Sequence, residues 1–427
     1  MINDLINFLD KSVVNFWAVD TVKAALEADG FSYLDPKEPW TIVRGGKYYT
    51  TQNGSAIFAF KVGNGPCGSG FRIISAHSDS PGFRVKPNCE MVSDGRMLKL
   101  NTEVYGGPIF YTWFDRPLSL AGRVILRGEN PMQPCTRLVR FDKPMLTIPH
   151  LAIHFNRNVN DGNHLSAQKD MLPVVGRLPE GEEAKGWLTR LIASELGVDA
   201  AEILDYDISL YDTTGAEVLG AYDDFITSGR IDDLSMVHAA MTALLNADDD
   251  CDDTRVMAIF DNEETGSGTK QGAASPILDY ILRRVNMSLG GNDEDYMRAV
   301  AKSFMVSADN AHGVHPNYIE KQDPTNHPVL GNGPVIKINA RCKYMTDADS
   351  AAVFADICNR AGVPVQYFVN HSDVAGGSTL GNILTSQIPL RGVDMGAAIW
   401  AMHSVRETAS VRDHDYIIRA FTQFYNI

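Results

Sequence analysis

The sequence predicts an α/β fold in which one sheet carries helices on both faces and is interrupted by a β-rich insert. Apolar strand-like runs alternate with helical ones in the first and last parts of the chain, the pattern of a helix-covered sheet. The stretch 88–219 between them is instead dominated by short strand-like runs broken by Gly, Pro and Asn. The 427 residues are more than one simple core holds and suit about two domains.

The opening MINDLINFLDKSVVNFW sets Leu5, Phe8, Leu9 and Val13 at helical spacing. Asp4 and Asp10 lie inside that pattern, so it is not expected to be a signal peptide, whose core is uncharged. FRIISA (71–76) follows as a strand. Within 88–219, MLKL (97–100), GRVIL (122–126) and HLAIHF (150–155) read as strands, and 182–197 reads as a helix. Beyond it the alternation resumes: a helix at 232–247, strand VMAIF (256–260), a helix at 275–287, then strands FMVSA (304–308) and VQYFV (365–369). Residues 1–87 and 220–427 are therefore expected to form one discontinuous α/β domain, with 88–219 inserted into it.

Hydrophobic residues make up 44% and charged residues 21%, enough for a sizeable core. The net charge of -15 repels phosphate backbones and anionic headgroups, which disfavours nucleic-acid and membrane partners. No uncharged apolar stretch reaches the roughly 18 residues needed to span a bilayer. Six scattered cysteines without a CxxC pair read as buried thiols of a reducing compartment rather than a disulfide framework, so a cytoplasmic location is expected.

Three polar clusters stand directly after apolar runs. His77-Ser78-Asp79 follows FRIISA, Asp261-Asn262-Glu263-Glu264 follows VMAIF, and Asp309 follows FMVSA. Asp232 opens a helix, and His403 follows AAIWAM. Ligands of open α/β sheets gather at strand ends, so these groups are placed to converge. Each has an ordinary structural reading on its own: a hydrogen-bonded His/Asp pair, a helix N-cap at Asp232, a solvated turn at Glu263-Glu264, a loop cap at Asp309, a core histidine at 403. Converging carboxylates, however, require cations to offset their repulsion. Two histidines with several carboxylates and no cysteine suit Zn²⁺, Mn²⁺ or Co²⁺.

The strings SAHSDSPGFRVKP (75–87), GRIDDL (229–234), DNEETGS (261–267), SADNAHGVHPN (307–317) and MHSVRE (402–407), in this order, resemble the M18 family of aminopeptidases. LAIHFNR (151–157) and GPVIKIN (333–339) fit the same pattern. The resemblance implies a three-layer α/β/α zinc-peptidase domain carrying an inserted β-rich dimerisation domain. It implies two divalent ions per chain, held by His77, Asp232, Glu264, Asp309 and His403, with Asp232 bridging both. His77 and Asp309 would complete one site, Glu264 and His403 the other. Glu263 would be the general base and Asp79 would orient His77. His154, Lys337, Tyr344 and His312 fall at positions that face substrate, His154 by reaching a neighbouring subunit's site. Peptides with a free N-terminus would be the substrates, and the assembly a homo-oligomer, a dodecamer built from dimers.

These roles agree with the residues' own chemistry. A bridging carboxylate can hold two cations about 3.5–4 Å apart. One Glu of an adjacent pair can bind metal while the other stays free to take a proton. Lys337 is the one charged residue in GPVIKIN, and a half-buried ammonium there would favour an acidic first residue. Alone, it reads as a surface lysine on an edge strand. ARCKYMTD (340–347) keeps Tyr344 but departs from the family's glutamine- and arginine-containing run, and Gly-Ser-Thr in HSDVAGGSTLGNIL reads as a helix N-cap. Two further functions remain open at this stage. One is a broad or neutral-residue aminopeptidase, or another hydrolase on the same scaffold. The other is a non-catalytic, metal-stabilised peptide-binding or assembly protein, which would have no use for an unligated Glu263.

Overall fold

Nine strands pair into one mixed sheet, with the apolar runs FRIISA, VMAIF and FMVSA at its centre. The computed structural model describes residues 2–427. In the order of the sheet the strands are Ser32–Tyr33, Lys47–Gln52, Ala56–Lys61, Thr254–Phe260, Phe71–His77, Phe304–Ala308, Arg391–Gly396, Val335–Ile338 and Gln366–Val369. The three central ones, Thr254–Phe260, Phe71–His77 and Phe304–Ala308, run parallel to one another. Alternate side chains serve two cores: Ile74, Ala76, Met257 and Ile259 face one, while Phe71, Ile73, Val256 and Phe260 face the other. A strand buried on both faces has no polar side, so these segments read as continuous apolar runs rather than alternating ones.

Helices Ile2–Lys11, Asn15–Ala28, Ile231–Asn246, Ala348–Arg360 and Val411–Tyr425 cover the first face. Helices Ile277–Ser288 and Asp293–Lys302 cover the second. The helix Ile231–Asn246 is buried over most of its surface and correspondingly apolar all round. Its first residues, Asp232 and Asp233, have non-helical backbone angles, so the regular helix starts after them. A separate five-stranded sheet contains Ala311–His312, Ala398–Trp400 and Glu407–Ser410.

These elements make up one compact unit, Met1–Asp79, Ala216–Met402 and Glu407–Ile427. The second unit is Ser80–Gly215 with His403–Arg406. It is a six-stranded antiparallel sheet in the order Gln133–Arg140, Leu118–Asn130, Ile203–Asp212, Gly82–Ser93, Met97–Tyr105, Val174–Arg177. The helix Trp187–Leu196 packs on its apolar core through Leu188 and Ile192. The unit begins at Ser80 rather than 88 because GFRVKP is already the first half of the strand Gly82–Ser93.

Three local readings change. HLAIHF is not a strand: residues 151–158 form turns, with the Phe155 amide donating to the Ala152 carbonyl at 2.9 Å, and Leu151, Ile153 and Phe155 are exposed. Val13 is buried but lies beyond the first helix, which ends at Lys11. Lys337 is not on an edge, since Val335–Ile338 lies between two other strands. The six cysteines are free, but only Cys89 and Cys358 are buried as expected, and Cys135 and Cys342 are exposed. Among the described residues no helix is long and apolar enough to cross a membrane.

Candidate metal centre

The parallel central strands bring their C-terminal ends to one level. Phe260 is in register with His77, and Ser307 with Ser75. The residues that follow, His77 to Asp79, Asp261 to Glu264 and Asp309, therefore emerge side by side, and the start of the helix Ile231–Asn246 supplies Asp232 beside them. Strand pairing places these groups, which stand at the strand ends or within four residues of them.

Asp79 organises the site. Its carboxylate accepts the backbone amides of both Glu263 and Glu264, at 3.1 and 3.2 Å, one on each oxygen. This fixes the short 3₁₀ turn Glu263–Thr265 against the end of the neighbouring strand. His77 Nδ1 lies 3.1 Å from the Asp79 carbonyl and 3.4 Å from its carboxylate. The nearer acceptor of the ring is thus main chain, and the Asp79 side chain serves chiefly the Glu263-Glu264 turn. His77 Nε2 faces Asp232 Oδ1 at 3.6 Å, and the His77 amide donates to Asp233 Oδ2 at 3.1 Å. Glu407 accepts the Asp232 amide at 2.9 Å. Asn15 donates to both oxygens of Asp261, at 3.1 and 3.2 Å, holding the strand end from the other side.

His77, Asp232, Asp233 and Asp309 each present a donor atom within 4.8 Å of the others, and so do His77, Glu263 and Glu264. The donors are imidazole nitrogen and carboxylate oxygen, a set that suits zinc and its divalent neighbours. The electrostatics point the same way. Burial, reinforced by Asp309 and Asp232 against the pull of His77, holds Asp233 well above the ordinary carboxylate range. Burial pushes Glu263 up to about 8, with Asp309, Glu264 and Asp232 adding to it and His77 opposing. Burial works against a charged His77, but Asp233, Asp232 and Asp79 outweigh it and hold the ring well above its usual value. His77 and Lys337, the latter 3.1 Å from Asp309, offset only part of this crowded negative charge, since Asp233 and Glu263 stay raised, and a divalent cation supplies more. The residues therefore fit the group.

Asp233 was not singled out in the sequence. The available signal was the adjacent acid pair in GRIDDL. Asp233 is fully buried, and besides the His77 amide it lies 3.4 Å from Asn310 Nδ2. Asn310, from SADN, also donates to the Ile231 carbonyl at 2.9 Å and so locks the helix start in place.

The remaining candidates are placed as follows. Lys337 is 3% exposed, its Nζ 3.1 Å from Asp309 Oδ2 and 5.8 Å from the centre of the Tyr344 ring. Burial opposes its charge, but Asp309, Tyr344 and Asp394 outweigh this and raise its pKa. Tyr344 is buried with Ala311, Val335, Phe368 and Ala398. His312 is exposed, its ring 5.9 Å from that of Phe368. The Gly-Ser-Thr turn does precede a helix, Leu380–Leu384, but Thr379 donates to Asp394 at 2.7 Å instead of capping it. His154 is exposed in the turns of the second unit. His403 belongs to that unit too, its Nδ1 3.1 Å from the Gly107 carbonyl, with Val405 buried in the β-rich core.

The model for the M18 peptidases, described as aminopeptidase I zinc metalloprotease, matches residues 8–425. A probable M18 family aminopeptidase 2 from Clostridium novyi (strain NT) is 51% identical over 426 residues, covering 100% of this chain and 98% of that relative. Among solved structures, the cryo-EM structure of the Ape4 and Nbr1 complex matches with a TM-score of 0.95 and 34% identity, covering 99% of this chain and 85% of that one. The S. cerevisiae mApe1 dodecamer matches with a TM-score of 0.86 and 26% identity, covering 99% and 95%. The chain belongs to the M18 peptidase family.

Proposed function

We propose that this M18 family metallo-aminopeptidase works with two divalent ions, zinc in the first instance, held by His77, Asp232, Glu264, Asp309 and His403. The single observation that carries the reading is Asp79 gripping the amides of Glu263 and Glu264 together. That grip sets two consecutive carboxylates at one site, one for metal and one for a proton. His403 enters the ligand set through the MHSVRE motif. Bound ions supply Lewis acidity, which polarises the scissile carbonyl and acidifies a water. Glu263 takes one proton from the water as its oxygen attacks the carbonyl carbon. It returns that proton to the leaving nitrogen as the C–N bond breaks. The products are one free amino acid and a peptide shorter by one residue. Asp79 fixes the backbone of the base, and the Asp233 carboxylate holds that of His77.

For specificity we propose that Lys337 selects an acidic first residue. A second reading is favoured by its contact with Asp309: there Lys337 only balances the charge of the acidic cluster, and the enzyme prefers neutral residues. Lys337→Met separates the two. A selector loses Asp- and Glu-initiated substrates far more than Leu- or Ala-initiated ones. A charge balancer loses all alike. For assembly we propose a homo-oligomer, a dodecamer built from dimers through the β-rich unit that begins at Ser80, with the α/β unit catalytic. The solved relative named as a dodecamer supports this. His154 would then complete a neighbour's site, and activity should disappear with assembly on dilution. The free thiols support a cytoplasmic setting. Turnover of a panel of aminoacyl substrates, each with Zn²⁺, Mn²⁺ or Co²⁺, against their N-acetylated forms tests the activity. Equal cleavage of the blocked forms would contradict it.

A further inference from the structure

On the face of the nine-stranded sheet covered by helix Ile277–Ser288, a cavity of about 340 Å³ opens beside the strand Lys47–Gln52. It shares no residue with the acidic cluster, and it lies at the small end of the range for ligand sites, about 300–1,000 Å³. Trp40, Phe58, Ile281 and Met287 give it apolar walls, with Met287 exposed at the mouth. Such walls do not suit a bare inorganic ion.

Of its polar lining residues, Thr50, Thr51, Gln52, Tyr280, Arg283 and Arg284, two stand apart. Thr50 is 3% exposed, and its Oγ1 has no hydrogen-bond partner among the described residues. A buried hydroxyl of this kind is costly unless something meets it. The other feature is Arg284, whose guanidinium stacks over the Trp40 ring at 3.8 Å and donates to the carbonyls of Pro36 and Glu38. Its sequence neighbour Arg283 is neutralised by Asp279 at 2.8 Å. Among the described residues Arg284 has no such carboxylate, so the cavity has a rigidly held positive charge without a counter-ion. A planar fork of this kind prefers a carboxylate. No acidic side chain lines the cavity, which disfavours an amine.

We propose that this cavity binds a small apolar monocarboxylate bearing a hydroxyl at its far end, the carboxylate at Arg284 and the hydroxyl at Thr50. The 4-hydroxyphenyl acids are the simplest members of that class. Binding is measured on the full-length chain by ligand-observed NMR and calorimetry. The probes are 4-hydroxyphenylacetate, its neutral amide, and phenylacetate, which lacks the hydroxyl. The amide should bind about 10-fold or more weakly than the acid, and phenylacetate about 3- to 10-fold. Thr50→Val should bring the hydroxylated acid down to the level of phenylacetate and leave phenylacetate unchanged. Arg284→Gln should erase the difference between acid and amide. Should that variant fold poorly, Met287→Trp closes the mouth instead, and should abolish binding of all three probes while peptidase activity stays. The proposal is overturned if wild-type protein binds none of the probes, if acid and amide bind alike, or if Met287→Trp leaves binding intact.

Discussion

The run Thr254–Phe260 and the run at 150–155 are both apolar, and they end in opposite environments. Thr254–Phe260 is buried at every position, paired with Ala56–Lys61 on one side and Phe71–His77 on the other. Residues 150–155 have no ladder, only local turns, and Phe155 is 80% exposed. A strand is thus a property of the neighbours as much as of the run. The difference extends to function. Glu263 and Glu264 stand three and four residues past a strand anchored on both sides, so seven residues of pairing hold their position. His154 sits in a segment that its own unit does not bury. An apolar loop left exposed in this way is where the proposed assembly would seat another chain.

The largest effect expected of that contrast lies at the anchored end. Glu263→Gln keeps the shape and the hydrogen bond from the backbone amide to Asp79 but cannot take a proton. Turnover should fall by roughly 10²–10⁴-fold with metal content unchanged. Near-normal turnover would remove Glu263 from the role of base. Next in size, Ile259→Ala hollows the paired strand and should destabilise by about 2–5 kcal/mol in denaturant unfolding. A cost near zero would mean that the strand is not the anchor described.

A smaller effect tests the helix layer behind the site. His238 Nδ1 and His414 Nε2 are 2.9 Å apart and buried, with the Phe8 ring against His238. Burial pushes His238 down to about 4, partly offset by Asp4, and holds His414 well below its ordinary value, with His238 adding to the effect. Both folded values lie below the unfolded value of about 6.5. Their contribution is therefore fully present above about pH 6.5 and lost as pH falls toward 4. Between pH 7 and 4.5 the wild-type Tm should drop more steeply than that of His414→Gln. Parallel curves would contradict this. The smallest effect belongs to the loop: Phe155→Ser should change the stability of the isolated chain by less than about 0.5 kcal/mol. It should weaken assembly on a sizing column, and a loss of stability as large as that of Ile259→Ala would erase the contrast.

The central strands and their acidic ends were legible because a doubly buried strand leaves a continuous apolar run, and whatever follows it stands at the sheet's edge. HLAIHF shows where the same signal misleads, since composition does not reveal whether a partner strand exists. Of the two readings of Lys337, half-buried ammonium or surface lysine on an edge strand, the edge reading fails because strand order is set by the whole sheet. Lys337 is instead buried, with Asp309 as its counter-ion. Asp233 escaped because its task, accepting the His77 amide, depends on how the helix start meets the strand end. The grouping of His403–Arg406 with the β-rich unit likewise follows from contacts of Val405 and His403 far away in sequence.

The central claim is that the strand ends of the first unit hold two cations through Asp232. Elemental analysis of purified wild-type and Asp232→Asn proteins, together with titration of divalent metal into each after chelation, tests it most directly. Wild-type chain should carry two ions, and the variant fewer than two along with lost activity, because the remaining ligands lack the shared charge that keeps two cations close. Two tightly bound ions in the variant, or a wild-type chain that takes up only one, would contradict the account.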